Sequence, residues 1–533
     1  MNKIAKYLNQ HIVGNVFDSP AILENYATDR SIMRIMPQMV AIPESTDDVR
    51  RIVKFMNQLA IKGIKMPITV RGSGLDKTGA DLGEGLILST EHLNKIQEID
   101  DHSRLVRVQA GVTLGQLNSA LALYGLTVPI FADQRETIGG LIANFITDPG
   151  AGKYNGIYYY VDCIEAVLSD GDSIQTSRAS RYFVDRKKGG TSFESAVFRG
   201  IDNLLAENET RLNDLASRGT LDSAGYQMVT QVVRDRTKSF DLLPLFYASQ
   251  GTLGVITEVI LRCEIYAPEI KHFVAAFESV NAALSYIRAI TPLVPAELTL
   301  YDARMFKKAA EHGKDPALFA PKFNDGYFVL IGFDDKKRKT QKKLKKCLKM
   351  LPNNAAAIME TQDNTIDFQR LQSAVLSYLN DDAKGERVSI VDDFYVPSEH
   401  LSAFLTDMRV LEKTYNLELP VFGSYSTSNY SVRPDFQLSS IQDRQRILQF
   451  LDDFNSLVNE HGGSITGGAP EGRTKAIVVN GAHSAVEMTI YRKIKEIFDP
   501  NGILNPGVKT GANTRATVIK YLRTDTNRGI STE

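Results

Sequence analysis

The chain has 533 residues, 43% of them hydrophobic and 23% charged, which is enough for two or more hydrophobic cores without cross-links. A formal net charge of −1 excludes a strongly basic nucleic-acid-binding face, and no apolar run reaches the roughly 18 to 20 residues that span a bilayer. The three cysteines, Cys163, Cys263 and Cys347, lie too far apart for a disulfide framework or a cysteine-ligated cluster; with no secretory leader at the start, they fit a reduced cytoplasmic setting.

Residues 40–43 (VAIP) read as a strand, and 44–48 (ESTDD) as the acidic, hydroxyl-rich start of a helix. Beyond it Val49, Ile52, Val53, Met56, Leu59 and Ala60 fall on one helical face. Residues 68–70 form a strand that runs directly into Arg71-Gly72-Ser73-Gly74, and 86–88 and 105–108 are further strands. Residues 114–124 read as an amphipathic helix ended by Gly125, followed by a second glycine loop from Thr137 to Asn144. Residues 161–175 place two β-rich runs around a Ser-Asp-Gly-Asp turn, which predicts a hairpin. Residues 178–247 are polar and helical, an insertion before the strand at 251–262, and Pro268 marks a boundary.

From about 270 to 490 longer helices alternate with strands such as 327–331 and 388–391, as in an α+β unit with an antiparallel sheet. Within it, residues 335–349 form a lysine-rich helix with an apolar stripe of Leu344, Cys347, Leu348 and Leu351. That stripe reads as packed on a sheet with the lysines in water; peripheral contact with anionic lipid is the competing expectation. The segment 498–507 is turn-rich, and the polar tail from Asn513 is expected to be partly disordered.

Glycine pairs let the backbone fold tightly and aim several N–H groups at one anion. A Rossmann fingerprint needs glycine where Lys77 stands and a helix opening there, and neither condition is met. Residues 467–474 have the spacing of a P-loop, but Arg473 replaces its lysine, and 475–479 (KAIVV) reads as strand where that motif opens a helix; ATP binding is rejected.

In chain order these segments resemble the FAD-linked oxidases with a PCMH-type (vanillyl-alcohol-oxidase-like) flavin domain, and most closely the D-lactate and glycolate dehydrogenase branch. The matching pieces are 41–43 with 47–49, 70–74, 108–112, 137–144, 168–171, 248–258 (ASQGTLGVITE) and 498–507 (FDPNGILNPG). The resemblance implies an α+β fold: a two-subdomain FAD-binding domain over 1–265, an α+β substrate cap over 266–494, and a segment from 495 to 533 that returns to the FAD domain. It implies that Val70, Arg71, Gly72, Ser73, Gly74, Leu75 and Asp76 wrap the pyrophosphate. Thr137, Ile138, Gly139, Gly140 and Asn144, with Gly254, Val255 and Ile256, would line adenine and flavin, and Asn505 would approach the isoalloxazine. Gln250 stands where the family has glutamate, and no histidine lies in either glycine loop, so FAD is expected to be held noncovalently.

The second domain departs from the pattern. The branch carries Gly-His-x-Gly-Asp-Gly-Asn-x-His and Ser-Gly-Glu-His-Gly motifs, whose histidines and glutamate are associated with a divalent metal. Here Ser424, Ser431 and Ala469 stand at the histidine positions and Gly468 at the glutamate position. Hydroxyls, a methyl and a glycine do not replace imidazole and carboxylate as ligands, so no metal is expected. The expected reaction is a two-electron oxidation of a small alcohol or hydroxy acid by hydride transfer to flavin N5, with oxygen, a quinone or a carrier protein as acceptor. A sugar or lactone oxidase and a noncatalytic flavin-binding protein are the alternatives. Candidates for orienting the substrate and taking its proton are Tyr425, Tyr430, Arg433, Arg473 and Lys475, with His461 and Glu471 nearby; His461 and His483 read as structural.

Overall fold

The computed structural model describes residues 2–533 apart from 146–150, 218–221, 235–238, 267–269, 312–325, 362–388, 437, 439, 511–514 and 524–533. The boundary at Pro268 therefore lies outside the described residues.

The amino-terminal part holds two sheets. In the first, strands Asn15–Phe17, Met39–Ile42, Leu86–Ser89 and Ile68–Arg71 lie side by side in that order, the last three parallel. A parallel pair needs a crossover, supplied by helix Thr46–Ile61. Ser45 caps that helix by accepting from Asp48 N–H, and Val49, Ile52, Val53 and Met56 bury its inner face. Asp48 also accepts from the backbone of Val13, Gly14 and Glu44, which ties the first strand to the helix start.

The second sheet is antiparallel, in the order Ile96–Asp100, Leu105–Gln109, Val255–Arg262, Val161–Val167, Ser173–Gln175. The hairpin expected at 161–175 forms its edge. The insertion is helical over Arg181–Lys188, Phe193–Glu207 and Glu209–Ser217. The carboxyl-terminal segment comes back to the first sheet: Asn505 N–H donates to Ile68 O (2.8 Å) and Ile68 N–H to Ile503 O (2.7 Å).

A third, seven-stranded sheet is antiparallel throughout, in the order Ala356–Met359, Lys271–Phe277, Tyr327–Phe333, Glu297–Asp302, Phe422–Ser424, Asn429–Ser431, Phe394–Tyr395. Strand Tyr327–Phe333 is buried at every position because both faces are covered. Tyr327, Val329, Ile331 and Phe333 point into a core shared with helices Val280–Ile290, Lys337–Met350, Leu401–Tyr415 and Ile441–Glu460. Phe328 and Leu330 point the other way, against Met305 and Phe306. Leu344 and Cys347 of the lysine-rich helix are buried in the first of these cores, while Leu348 is 43% exposed. Among the described residues no helix is long and apolar enough to cross a membrane.

Three local expectations are corrected. Residues after Thr137 are not a loop but helix Ile138–Asn144, because Thr137 Oγ accepts from Gly140 N–H and caps it. Residues 475–479 open helix Ala476–Ala482, so tertiary packing overrides the β-branched run Ile477-Val478-Val479. Near 388–391, Ser389 makes an isolated bridge to Ser31, and the strand forms later, at Phe394–Tyr395. Of the tail expected to be partly disordered, 513–514 and 524–533 lie outside the described residues; between them Arg515–Tyr521 is helical and Arg523 N–H donates to Ile32 O.

Candidate active site

A narrow slot forms where the loop leaving strand Ile68–Arg71 meets helix Ile138–Asn144 and the turn ahead of strand Val255–Arg262. Glycines bring its walls close together. A Cβ on Gly72 would lie 2.4 Å from Thr137 Oγ1, and one on Gly139 would lie 2.8 Å from Ala110 Cβ. Ser249 lines the slot, and its buried hydroxyl has no protein partner. Close walls, a spare hydroxyl and an open end suit an extended ligand with an anionic middle, which is the shape and charge of FAD.

At the slot wall three carboxylates, Asp29, Asp76 and Asp81, converge. Asp76 accepts from the backbone N–H of Thr78 and Ala80 and from the Thr78 hydroxyl, which tightens the loop. Burial, then the nearby Asp29, push the Asp76 carboxyl up to about 6. Burial likewise raises Asp81 well above the carboxylate range, against the pull of Arg71, whose Nη1 lies 3.6 Å away.

The slot opens into a cleft of about 1000 Å³ between the first two sheets and the seven-stranded sheet, and Leu75, Asp76, Glu136 and Asn144 line both spaces. Burial raises the Glu136 carboxyl to about 7, with Arg30 and Lys77 opposing. Asp133 is held down at about 2: burial would raise it, but the Arg135 guanidinium and then Arg30 stabilise its charge. Ser424, Ser431 and Ala469, three of the four altered positions, line the cleft with Arg433.

Two of the four altered positions, Ser431 and Gly468, bond to one turn at Asp393. Ser424 faces Asn429 in the strand pair leading to Ser431. Ser431 Oγ accepts from Asp393 N–H (3.0 Å) and donates to Asp393 Oδ1 (3.2 Å). Gly468 N–H, next to Ala469, donates to Asp393 O (2.8 Å). Lys77 Nζ reaches Asp393 Oδ2 at 3.3 Å from the slot loop, and Arg433 pairs with Asp392.

Comparison with known proteins places this geometry in a family. A model described as an FAD binding domain matches residues 37–177, and one described as the C-terminal domain of FAD linked oxidases matches 267–508. The chain carries both domains of the FAD-linked oxidase family. FAD is the cofactor of its amino-terminal domain, and the fold is the α+β one that the resemblance implied. The chain is 24% identical over 519 residues to D-2-hydroxyglutarate dehydrogenase of Pantoea ananatis, covering 93% of the chain and 50% of that protein. It thus spans about half the length of the first curated relatives it matches. To glycolate oxidase subunit GlcD of Bacillus subtilis it is 25% identical, with 91% of each chain covered. Among solved structures, p-cresol methylhydroxylase with substrate bound is similar at a TM-score of 0.68 and 14% identity, covering 96% of each chain.

The residues expected to hold FAD fall into two groups. Val70, Gly72, Ser73, Gly74, Leu75 and Asp76 line the slot, as do Thr137, Gly139, Gly140, Asn144, Gly254 and Ile256. Arg71, Ile138, Val255 and Asn505 stand behind its wall. Ile138 and Val255 are core residues, and the Arg71 guanidinium donates to Thr28 O and lies over the Tyr26 ring. Asn505 is fully buried, donating to Ala80 O and Gln250 O.

Of the five residues proposed from sequence for catalysis, Arg433 lines the cleft. Tyr430 is buried among aromatic rings and Tyr425 packs against the same core. Arg473 donates to Leu82 O (2.9 Å), Pro506 O (2.7 Å) and Asn505 Oδ1 (2.8 Å). Lys475 Nζ donates to Asp392 O and Ile465 O, both at 2.8 Å, and burial lowers it to about 8. Glu471 is paired with Lys509 at 2.9 Å, both side chains fully buried, and His461 pairs with Asp407. Sequence reasoning passed over Glu136, Lys77 and Asp393. The sequence signals were an acid next to the Thr137 cap, a lysine inside a glycine loop and the paired acids Asp392-Asp393.

Proposed function

We propose that this oxidase catalyses the two-electron oxidation of a small alcohol or hydroxy acid, with FAD held noncovalently in the slot and without a divalent metal. The observation that carries this reading is the junction: one set of residues, Leu75, Asp76, Glu136 and Asn144, walls both the glycine slot and the cleft. A ligand in the slot therefore meets a molecule in the cleft without a further channel. FAD bound there supplies a two-electron acceptor for the hydrogen on the alcohol carbon.

The chain supplies the rest. Phe131, Tyr154, Tyr301 and Phe422 line the cleft and displace water from the reacting end. Arg433 and Lys77 are cations on its wall, suited to orient an oxygen-rich substrate. The reading without metal is supported by residue chemistry: Ser424, Ser431, Ala469 and Gly468 offer no imidazole or carboxylate. We further infer that residues 1–265 with the returning 495–533 form the FAD unit and 266–494 the substrate unit, which the matched ranges support. A sugar-type alcohol is the nearest alternative substrate, and oxygen, a quinone or a carrier protein takes the electrons onward.

The test is turnover of a panel of hydroxy acids and polyols by the FAD-loaded protein, with products weighed by mass spectrometry. The reading expects one compound to lose two hydrogen atoms and the rate to survive a chelator. No product from any compound would leave a noncatalytic flavin protein in its place, and loss of the rate with chelator would restore the metal.

A further inference from the structure

We infer that Asp393 is the proton acceptor of this oxidase, held in place by Ser431 and Lys77, so that a carboxylate–hydroxyl–ammonium cluster stands where the altered motifs meet. The inference rests on the proposed alcohol oxidation and deepens it by naming the base.

Asp393 is fixed from every side but one. Its φ is +56°, a left-handed conformation that costs a residue with a side chain about 1 kcal/mol or more and that collects at functional sites. Ser431 and Gly468 hold it there by bonding its N–H and its carbonyl. The Ser431 hydroxyl accepts the Asp393 N–H, so its own hydrogen is directed at Oδ1. Lys77 approaches Oδ2 from the slot loop, 316 residues away in sequence, and so links the slot wall to the carboxylate. Both oxygens accept one bond and keep a lone pair free, and the side chain is 23% exposed in the cleft.

Four other cleft carboxylates are committed elsewhere, while burial drives Glu136 at the slot junction toward its protonated form and makes it the rival acceptor. Asp133 is clamped by Arg30 and Arg135. Asp334 pairs with Lys153 and Tyr154, Glu297 faces His272, and Asp76 is spent on backbone N–H groups. Asp393 combines an anchored backbone, a directed hydroxyl and an open face. In the step it serves, the substrate O–H proton passes to the Asp393 carboxylate as the carbon–hydrogen bond breaks. That hydrogen leaves with its electron pair to FAD, and the alcohol carbon becomes a carbonyl.

The test uses the FAD-loaded protein and four probes: glycolate, D-lactate, D-2-hydroxyglutarate and glycerol. Asp393→Asn is the decisive variant, because asparagine adopts the left-handed region readily and keeps the bond from Ser431 while losing basicity. Expected are unchanged FAD content and melting temperature, and anaerobic flavin bleaching slower by about 10² to 10⁴-fold. Affinity for the carbonyl product of the bleaching probe should stay within about threefold, which separates a base from a binding group. Ser431→Ala and Lys77→Met, which leave the carboxylate in place, are each expected to slow bleaching about tenfold. If Asp393→Asn loses FAD, these two decide: slowing supports the assignment and normal rates overturn it. Bleaching of Asp393→Asn at the wild-type rate, or a parallel loss of product affinity, overturns the base while leaving the oxidation intact. Failure of every probe to bleach the wild-type protein removes the oxidation and the base together.

Discussion

Replacing Arg473 by methionine separates a structural role from a substrate-binding one. The guanidinium is 8% exposed and spends its donors on Leu82 O, Pro506 O and Asn505 Oδ1. It thereby staples the loop beyond the slot to the returning carboxyl-terminal segment. Burial is costly enough to bring its pKa down to about 10. Removing it leaves Leu82 O and Pro506 O without a donor, at about 1–3 kcal/mol each, while Asn505 Oδ1 still accepts from the Thr69 hydroxyl. Part of that is offset by the desolvation of the charge, so the net loss should be about 2–4 kcal/mol. A core of this size loses roughly 2–4 °C of melting temperature per kcal/mol, giving a drop on the order of 10 °C. The chain has no tryptophan, so melting is followed by circular dichroism, and retained FAD by the ratio of visible to ultraviolet absorbance. Arg473→Met should melt early and lose FAD, while the molecules that keep FAD turn over normally. An unchanged melting temperature with full FAD and a raised KM would refute this reasoning and make Arg473 a substrate ligand.

Three further outcomes follow from the same contacts. Gly72→Ala places a methyl against Thr137 Oγ1, which caps the slot helix, so FAD affinity measured by flavin fluorescence should fall about tenfold and the cap loss cost about 1 kcal/mol. Glu471→Ala strands a fully buried Lys509 and should destabilise by about 3–5 kcal/mol in urea unfolding; a loss under 1 kcal/mol would contradict the buried pair. His272 is raised to about 9: burial opposes its charge, but Glu297 and Glu360 outweigh that cost. Since its folded pKa lies above its unfolded value, its contribution is complete below about pH 6.5 and is lost as pH rises through 9. It is worth about 3 kcal/mol, and His272→Gln should flatten that limb of stability against pH.

The strands and the slot loop were legible because their signals are local. Glycines at 72, 74, 139 and 140 announce backbone that must pass close to something, and the hairpin at 161–175 carries its own turn. Helix Ile138–Asn144 was not legible as a helix, since paired glycines are poor helix formers and only the Thr137 cap argues otherwise. The run after Lys475 carries β-branched side chains, yet burial of Ala476, Val478 and Val479 decides for helix. Arg473 and Lys475 look like exposed ligands because composition does not reveal burial; their nitrogens instead satisfy backbone carbonyls brought in by distant segments. Asp393 was missed for the converse reason. Its meaning depends on Lys77 and Ser431, residues that only the folded chain brings together.

The visible spectrum of the purified protein, before and after anaerobic addition of hydroxy acids and polyols, tests the central claim most directly. Flavin bands near roughly 370 and 450 nm, released with the cofactor on denaturation, and bleaching by one compound are expected. A colourless protein that takes up no added FAD would contradict that claim.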